Sequence, residues 1–431
     1  MEKIGGKYEV VRALGEGATS TVYLAYDPFA EREVAVKLIN PDILSSDLQG
    51  KQFRHLLINE ASLAGKLIHP HIVQIYDAVI GDEESYIVME YVPGGTLERF
   101  CDTGNLLPTE RIVEIIFKCT RALEYANRLG ITHRDIKPAN ILLVNPEGED
   151  GDIKISDFGA CIQTGAEQTQ TQVMGVGSPA YMSPQQLQEQ TLNHQTDIYA
   201  LGVVMYQLLA GRLPFQASSN YGIIYQICNI DPPPPSTFRE GVPPALDDVV
   251  ARAMQKELQN RYATWAEFAH DLAEAFRSGQ RAQPRNTVPD SEKFETLRSL
   301  PFFNDFSDIE IWEVVRFAQW AEVSVGARIM TDGEPGDHFC FVLDGEFDVT
   351  KEGRALGTLG QGELIGEMAV IDRRHPRRAA DVVARAHAHI VVIPGTALRR
   401  ASDACRMHFY EGFLTVLAGR LARTNSLLAH A

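Results

Sequence analysis

The eight residues His133-Arg134-Asp135-Ile136-Lys137-Pro138-Ala139-Asn140 constrain this chain more than any other stretch. They sit between the mixed segment 126–131, which ends on Leu129 and Ile131, and the apolar segment 141–144. Proline at 138 rules out a helix interior, so the stretch reads as a polar loop pinned between buried elements. Its side chains have complementary chemistry. An aspartate accepts a proton from an attacking hydroxyl, a lysine offsets phosphate charge, and an asparagine offers oxygen to Mg²⁺. Phosphoryl transfer needs those three roles together.

The rest of the chain must supply the lobes that hold such a loop. At 431 residues it is too long for a single core, and two or three domains are expected. A hydrophobic content of 45% and a charged content of 23% are those of an ordinary globular protein. The net charge of −17 argues against nucleic acid as the main partner. The six cysteines are scattered without a C-x-x-C pair, which fits buried thiols in a reducing compartment. There is no signal-type apolar region at the start and no run near about 18 apolar residues. The expected address is cytoplasmic, with no membrane span.

Before the loop, Tyr8 to Leu14 alternates like a strand and enters Gly15-Glu16-Gly17-Ala18-Thr19-Ser20, after which Thr21 to Ala25 is a second β run. A glycine turn between strands brings backbone N–H groups close to phosphate oxygens, although most such turns are plain hairpins. Val34-Ala35-Val36-Lys37-Leu38 is a strand carrying one lysine, 20 residues after Gly17. Residues 53–67 have helical apolar spacing and carry Glu60. The strand from Ser85 to Val92 stops at Pro93-Gly94-Gly95, a bend. After the loop, the alternating run 152–156 ends in Asp157-Phe158-Gly159, with Asp157 22 residues after Asp135.

Taken together, Gly15 and Gly17, Lys37, Glu60, Asp135, Lys137, Asn140 and Asp157 resemble the protein-kinase superfamily in order and spacing, and the loop matches its H-R-D-x-x-x-x-N pattern. The resemblance covers 1–276 and is similar to bacterial eukaryotic-like Ser/Thr kinases. It implies a bilobal kinase fold with an N-lobe at 1–91, a hinge at 90–95 and a C-lobe at 96–276. It assigns Asp135, Lys137, Lys37 and Glu60 to catalysis, and Asn140 and Asp157 to Mg²⁺, with Mn²⁺ as a substitute. Gly15, Gly17, Ser20, Val22, Ala35, Lys37, Glu90 and Val92 fall to ATP. Ser20 stands where the family has a third glycine. Lys137, two residues after the base, is the Ser/Thr-kinase form. Thr169 and Thr171, in the polar segment 165–177, are expected phosphorylation sites, with Arg134 as the phosphate's docking partner. Ser178 replaces the usual threonine. Gln185 replaces a glutamate that pairs with an arginine, here Arg261, which exchanges a charge pair for a neutral hydrogen bond. Asp197 is expected to brace the loop backbone. Helices are expected at 109–128, 197–209, 246–256 and 265–276, with a polyproline connector at 232–235.

Residues 277–293 read as a linker, being polar, poor in apolar side chains and broken by prolines. Two short helices at 294–318 then precede short β runs with regular glycine turns, the pattern of a small β-roll or jelly roll with flanking helices. The whole chain is thus expected to be α+β. Gly362 to Val370, followed by Pro376-Arg377-Arg378-Ala379, resembles the phosphate-binding cassette of cyclic-nucleotide-binding domains. That resemblance spans about 294–400 in a domain running to 431. It places Gly366, Glu367, Met368, Ala369, Arg378 and Ala379 at the ligand, with Glu367 on the ribose and Arg378, ahead of Arg377, on the phosphate. Ala379 leans toward cAMP over cGMP. The helical pattern over 397–429 packs on the roll, relays ligand binding or forms a homodimer.

The expectation is a Ser/Thr protein kinase acting on protein substrates and controlled by a cyclic nucleotide. Two rivals stand beside it: a catalytically weak scaffold that senses the nucleotide, and a constitutive kinase with a structural β-roll.

Overall fold

The protein is described by a computed structural model covering residues 2–17, 19–44, 54, 57–58, 60–63, 65–81, 84–145, 152–158, 162–163, 179–279, 288–371 and 377–429. The expected phosphorylation sites Thr169 and Thr171, and Ser178, lie outside these residues. The chain divides into two compact units, Met1–Pro284 and Arg285–Ala431.

The first unit opens with a six-stranded antiparallel sheet built from β1 (Lys3–Ile4), β2 (Tyr8–Glu16), β3 (Ser20–Asp27), β4 (Arg32–Ile39), β5 (Ile75–Ile80) and β6 (Ser85–Glu90), in the order 1-2-3-4-6-5. The two-residue period of β4 decides what each face carries. Val34 and Val36 are buried with Tyr8, Ala25, Tyr86 and Val88 on one side. Ile39, Ile87 and Leu57 form the core of the other. Lys37, between buried Val36 and half-buried Leu38, is thereby aimed away from the Val34–Val36 face.

The helical lobe is centred on α1 (Thr109–Arg128), whose ends fall where the spacing predicts. Within it Lys118 is fully buried and its ammonium lies 2.7 Å from Asp152. Two small two-stranded sheets follow, β7 (Ile131–Thr132) with β10 (Ile162–Gln163), and β8 (Ile141–Leu143) with β9 (Ile153–Ile155). The helices α2 (Pro184–Leu187), α3 (Gln195–Ala210), α4 (Asn220–Asn229), α5 (Pro244–Ala253) and α6 (Trp265–Gly279) complete the lobe. Almost every side chain of α3 is buried, so it is a core helix. Gly202 lets α5 come close, since a Cβ there would lie 2.8 Å from Ala253 Cβ.

Helix α5 stops at Ala253, short of the expected end at 256. The carbonyls of Gln255 and Lys256 are turned outward to side chains, accepting from Arg261 at 2.7 and 3.2 Å. Among the described residues Lys256 itself has no hydrogen-bond partner for its buried ammonium, which lies 4.5 Å from the Phe215 ring centre and 5.8 Å from that of Tyr199. Burial lowers its pKa to about 8. The unfolded chain keeps this amine protonated to its ordinary value and the folded chain only to about pH 8. Stability therefore rises with pH between the two. Lys256→Met is expected to stabilise the fold by about 1–2 kcal/mol at pH 7, allowing for solvent around a partly exposed side chain. Melts across pH 7–10 check this: the gain over wild type should shrink as pH rises.

Helix α6 runs three residues into the stretch expected as linker, and the second unit begins its own helix, α7 (Asp290–Ser299), before that stretch ends. α8 (Asp308–Phe317) starts at a capping box in which Ser307 and Glu310 satisfy each other's backbone N–H. Two four-stranded antiparallel sheets follow. One pairs β11 (Gln319–Val323), β18 (Ala388–Pro394), β13 (His338–Asp344) and β16 (Leu364–Ile365). The other pairs β12 (Arg328–Met330), β17 (Asp381–Ala384), β14 (Phe347–Lys351) and β15 (Arg354–Leu359). Val323, Cys340, Val342 and Ile390 of the first sheet meet Met330, Phe347 and Val382 of the second in one core. This is the expected β-roll. The short helix α9 (Glu367–Ile371), α10 (Gly395–Arg400) and the long α11 (Asp403–Ala429) flank it.

Candidate active site and nucleotide cassette

The loop 133–140 is held from behind by one buried carboxylate. Asp197, in the first turn of α3, accepts from the His133 N–H and the Arg134 N–H at 2.7 Å each. Burial pushes its pKa up against the pull of those bonds. Arg134 has φ +68°, a left-handed conformation that a non-glycine residue keeps only when its surroundings impose it. The Gln186 carboxamide donates to the Arg134 carbonyl at 3.1 Å, fastening the loop on its other side. Asp197→Ala would strand two N–H groups. It is expected to cost about 2–4 kcal/mol in unfolding free energy. Faster amide exchange at His133 and Arg134 would separate loss of the brace from a general loosening.

At the front of the loop Asp135 meets two donors. The Lys137 ammonium lies 2.8 Å from its Oδ2, and the Asn140 carboxamide donates to the same oxygen at 3.1 Å and to the Asp135 carbonyl at 2.8 Å. Asn140 thus turns its nitrogen to the base. Its other terminal atom is an oxygen.

Lys37 gathers two carboxylates, Glu60 at 3.2 Å and Asp157 at 2.6 Å. Burial works against its charge, but the two carboxylates outweigh it and hold the ammonium above the ordinary lysine range. Burial pushes Glu60 up, whereas the attraction of Lys37 keeps Asp157 low despite burial. Asp157 has φ +66°, the second non-glycine residue of the site held in left-handed backbone. Its neighbour Phe158 is buried against the His133 ring, with centroids 4.5 Å apart, which ties the two loops together.

Sheet register sets three of the expected nucleotide residues on one surface. Val22 pairs with Lys37 across β3 and β4, and Ala35 is two residues from Lys37, so all three share a face. Gly15 pairs with Val22 and the Gly17 N–H donates to the Ser20 carbonyl at 2.9 Å, so β2 and β3 stay bonded up to the glycine segment. At the bend, Glu90 ends β6 and Val92 is buried. The Glu90 carboxylate is 3.0 Å from Lys154 on β9, a pair the sequence reading missed. Gly94 lies so close to β8 that a Cβ would run into the Leu143 carbonyl oxygen.

The substituted position 185 behaves as expected and gains something more. Arg261 Nη2 donates to Gln185 Oε1 at 3.0 Å, while its other bonds go to the carbonyls of Gln195, Gln255 and Lys256. A cage of neutral oxygens replaces the missing carboxylate. Burial accordingly lowers the Arg261 pKa to about 10.

In the second unit Gly366 takes φ +85° and turns the chain into α9, which starts at Glu367. Met368 is exposed and Ala369 buried. Arg378 reaches the same turn, donating to the Gly366 carbonyl at 3.1 Å and the His338 carbonyl at 2.8 Å. Arg377 instead donates to the Gly333 carbonyl at 2.6 Å on the surface. Of the two arginines, Arg378 is therefore the one beside Glu367. Ala379 is exposed and its carbonyl accepts from Lys351. Glu367 carries an ion pair that sequence reasoning did not find, with Arg420 of α11 at 2.6 Å. The available signal was a lone arginine in the otherwise uncharged run 412–422.

A β-rich lobe and a helical lobe in one unit, carrying the Lys37–Glu60–Asp157 ion pairs and the Asp135–Lys137–Asn140 group, define a class of protein. Residues 8–273, more than half of the chain, match the protein kinase domain, and the chain belongs to that family. Residues 321–404 match the cyclic nucleotide-binding domain. The chain is similar to the serine/threonine-protein kinase PknB of Mycolicibacterium smegmatis, 37% identical over 309 residues that make up 70% of this chain and 48% of that protein. It is also similar to the serine/threonine-protein kinase PrkC of Bacillus subtilis, 33% identical over 304 residues covering 70% of this chain and 45% of that protein. The chain spans less than half the length of these relatives. Among the described residues no helix is long and apolar enough to cross a membrane.

Proposed function

We propose that this protein is a Ser/Thr protein kinase that transfers the γ-phosphoryl group of ATP to hydroxyls of protein substrates. The observation carrying the reading is the pairing of Asp135 with Lys137 and Asn140 in the same unit as the Lys37–Glu60–Asp157 triad. The residues suit Mg²⁺ and ATP. Asp157 and Asn140 each offer a hard oxygen, and Lys37 is a fixed cation for phosphate. When bound, Mg²⁺ neutralises charge on the phosphates. Asp135 orients the acceptor hydroxyl and takes its proton, Lys137 offsets charge beside it, and Glu60 keeps Lys37 in place. The test is transfer of label from γ-labelled ATP with Mg²⁺ to basic and neutral protein acceptors. Label on serine and threonine is expected. Label confined to tyrosine, or none above a protein-free sample, would sink the reading.

We further propose that the second unit binds a cyclic nucleotide, Glu367 meeting the ribose and Arg378 the phosphate, and that this binding regulates the kinase. The adjacency of Glu367 and Arg378 across the Gly366 turn supports it. Calorimetry with cAMP and cGMP should give heat with at least one of them. Arg378→Ala should weaken binding about 10–100-fold, the effect of losing bonds to a charged group. No heat from a folded wild-type chain with either nucleotide would leave the β-roll a structural role.

A further inference from the structure

Both ligand-directed groups of the cassette are closed on the chain itself. Glu367 is 1% exposed, and its Oε1 accepts from Arg420 Nη1 at 2.6 Å. Arg378 is 6% exposed, and its Nη1 is engaged by the His338 and Gly366 carbonyls. Gly366 itself has no room for a side chain, since a Cβ there would lie 2.5 Å from both Arg378 Nη1 and Met330 Cε. A buried carboxylate without a donor is costly, so whatever leaves Glu367 must be replaced by another donor.

Arg420 comes from α11, and that helix is held in two different ways. Its first half is fixed by aromatic packing. Phe409 and Phe413 are buried among Phe302, Phe303 and Phe339, and Gly412 lets the Phe302 ring come within 2.5 Å of where a Cβ would stand. Past Phe413 no side chain as far as Ala422 is buried, and Leu414 and Leu421 are 67% and 63% exposed. Arg420 is a polar tether of this second half. Besides Glu367 it binds the Leu364 carbonyl through Nη2.

We propose that Arg420 is an internal competitor of the cyclic nucleotide. It holds the carboxylate that the ribose hydroxyl would use, ligand entry displaces it, and its displacement frees residues 414–422 of α11 from the β-roll. The inference rests on the cassette being a cyclic-nucleotide site. It adds which contact the ligand breaks and which element reports the event. By linkage the effect is reciprocal: a freed helix tail raises nucleotide affinity by the factor by which nucleotide favours the freed tail.

The test titrates cAMP and cGMP into the full chain, wild type and Arg420→Gln, and follows amide hydrogen exchange over 414–422. Arg420 lies partly at the surface, and matched melting curves with Arg420→Lys alongside guard against misfolding. Arg420→Gln is expected to bind about tenfold tighter. Its 414–422 amides should exchange faster than wild type without added nucleotide, and saturating nucleotide should bring wild type to the same rate. Equal or weaker binding by Arg420→Gln, or exchange indifferent to nucleotide, would overturn the competitor role while leaving the site intact. No binding by either protein would instead remove the cyclic-nucleotide reading, and the inference with it.

Discussion

Asp135→Asn is expected to lower phosphotransfer by on the order of 10²–10⁴-fold while leaving the melting temperature nearly unchanged. The separation follows from what touches this side chain. Lys137 and Asn140 both donate to Oδ2, so an asparagine can present its single carbonyl oxygen there and keep both bonds. What it cannot do is accept the proton of an attacking hydroxyl. The loop backbone is fixed elsewhere, by Asp197 on the His133 and Arg134 amides, and does not depend on the charge at 135. Single-turnover assays next to calorimetric melts check it. Equal rates for variant and wild type would show that transfer proceeds without this base.

Lys37→Met should have the largest effect on stability, with a definite pH dependence. In the native chain one ammonium serves two carboxylates, of which Glu60 is almost wholly buried. Removing it leaves an uncompensated buried charge, which costs about 3–5 kcal/mol. The variant's carboxylates then have folded pKa values above their unfolded ones. A group of that kind contributes stability at low pH and loses it as pH rises. The deficit relative to wild type is therefore expected to be greatest at and above neutrality and to shrink toward pH 5. Adding Glu60→Gln should recover part of it at pH 8. Denaturant titrations at pH 5, 6.5 and 8 decide the matter: a deficit independent of pH would assign the cost to lost packing instead.

Much of this arrangement was legible in the residues because it is local. Thr109–Arg128 reads as a helix from its apolar spacing, and Pro138 marks the loop, since both signals lie within a few residues of what they shape. The eight kinase positions could be proposed because strand period and fixed spacings dictate which side chains share a face. Contacts made by the fold, and not by neighbours in sequence, were out of reach. Left-handed backbone at Arg134 and Asp157 has no glycine to announce it. The ion pair of Glu90 with Lys154 joins residues that are both plausible surface charges. Arg420 reaches Glu367 across 53 positions. The early end of α5 depends on carbonyls captured by Arg261, so no residue inside that helix signals it.

The bend after β6 has a mechanical consequence. Glu90 is tied to the first sheet, its N–H donating to the Gln74 carbonyl, but Gly94 and Gly95 exchange hydrogen bonds with Leu143. Only Tyr91, Val92 and Pro93 are left between the two attachments. The other crossing is equally short. His71 and Val73 are bonded to Ile155 of β9, and Gln74 already belongs with Glu90. The lobes of this unit are thus joined like a lid on two pins, one at 73–74 and one at 91–93. Chain connections of this kind favour a swing about the line through the two pins, and the ion pairs Lys37–Asp157 and Glu90–Lys154 hold the lobes against it.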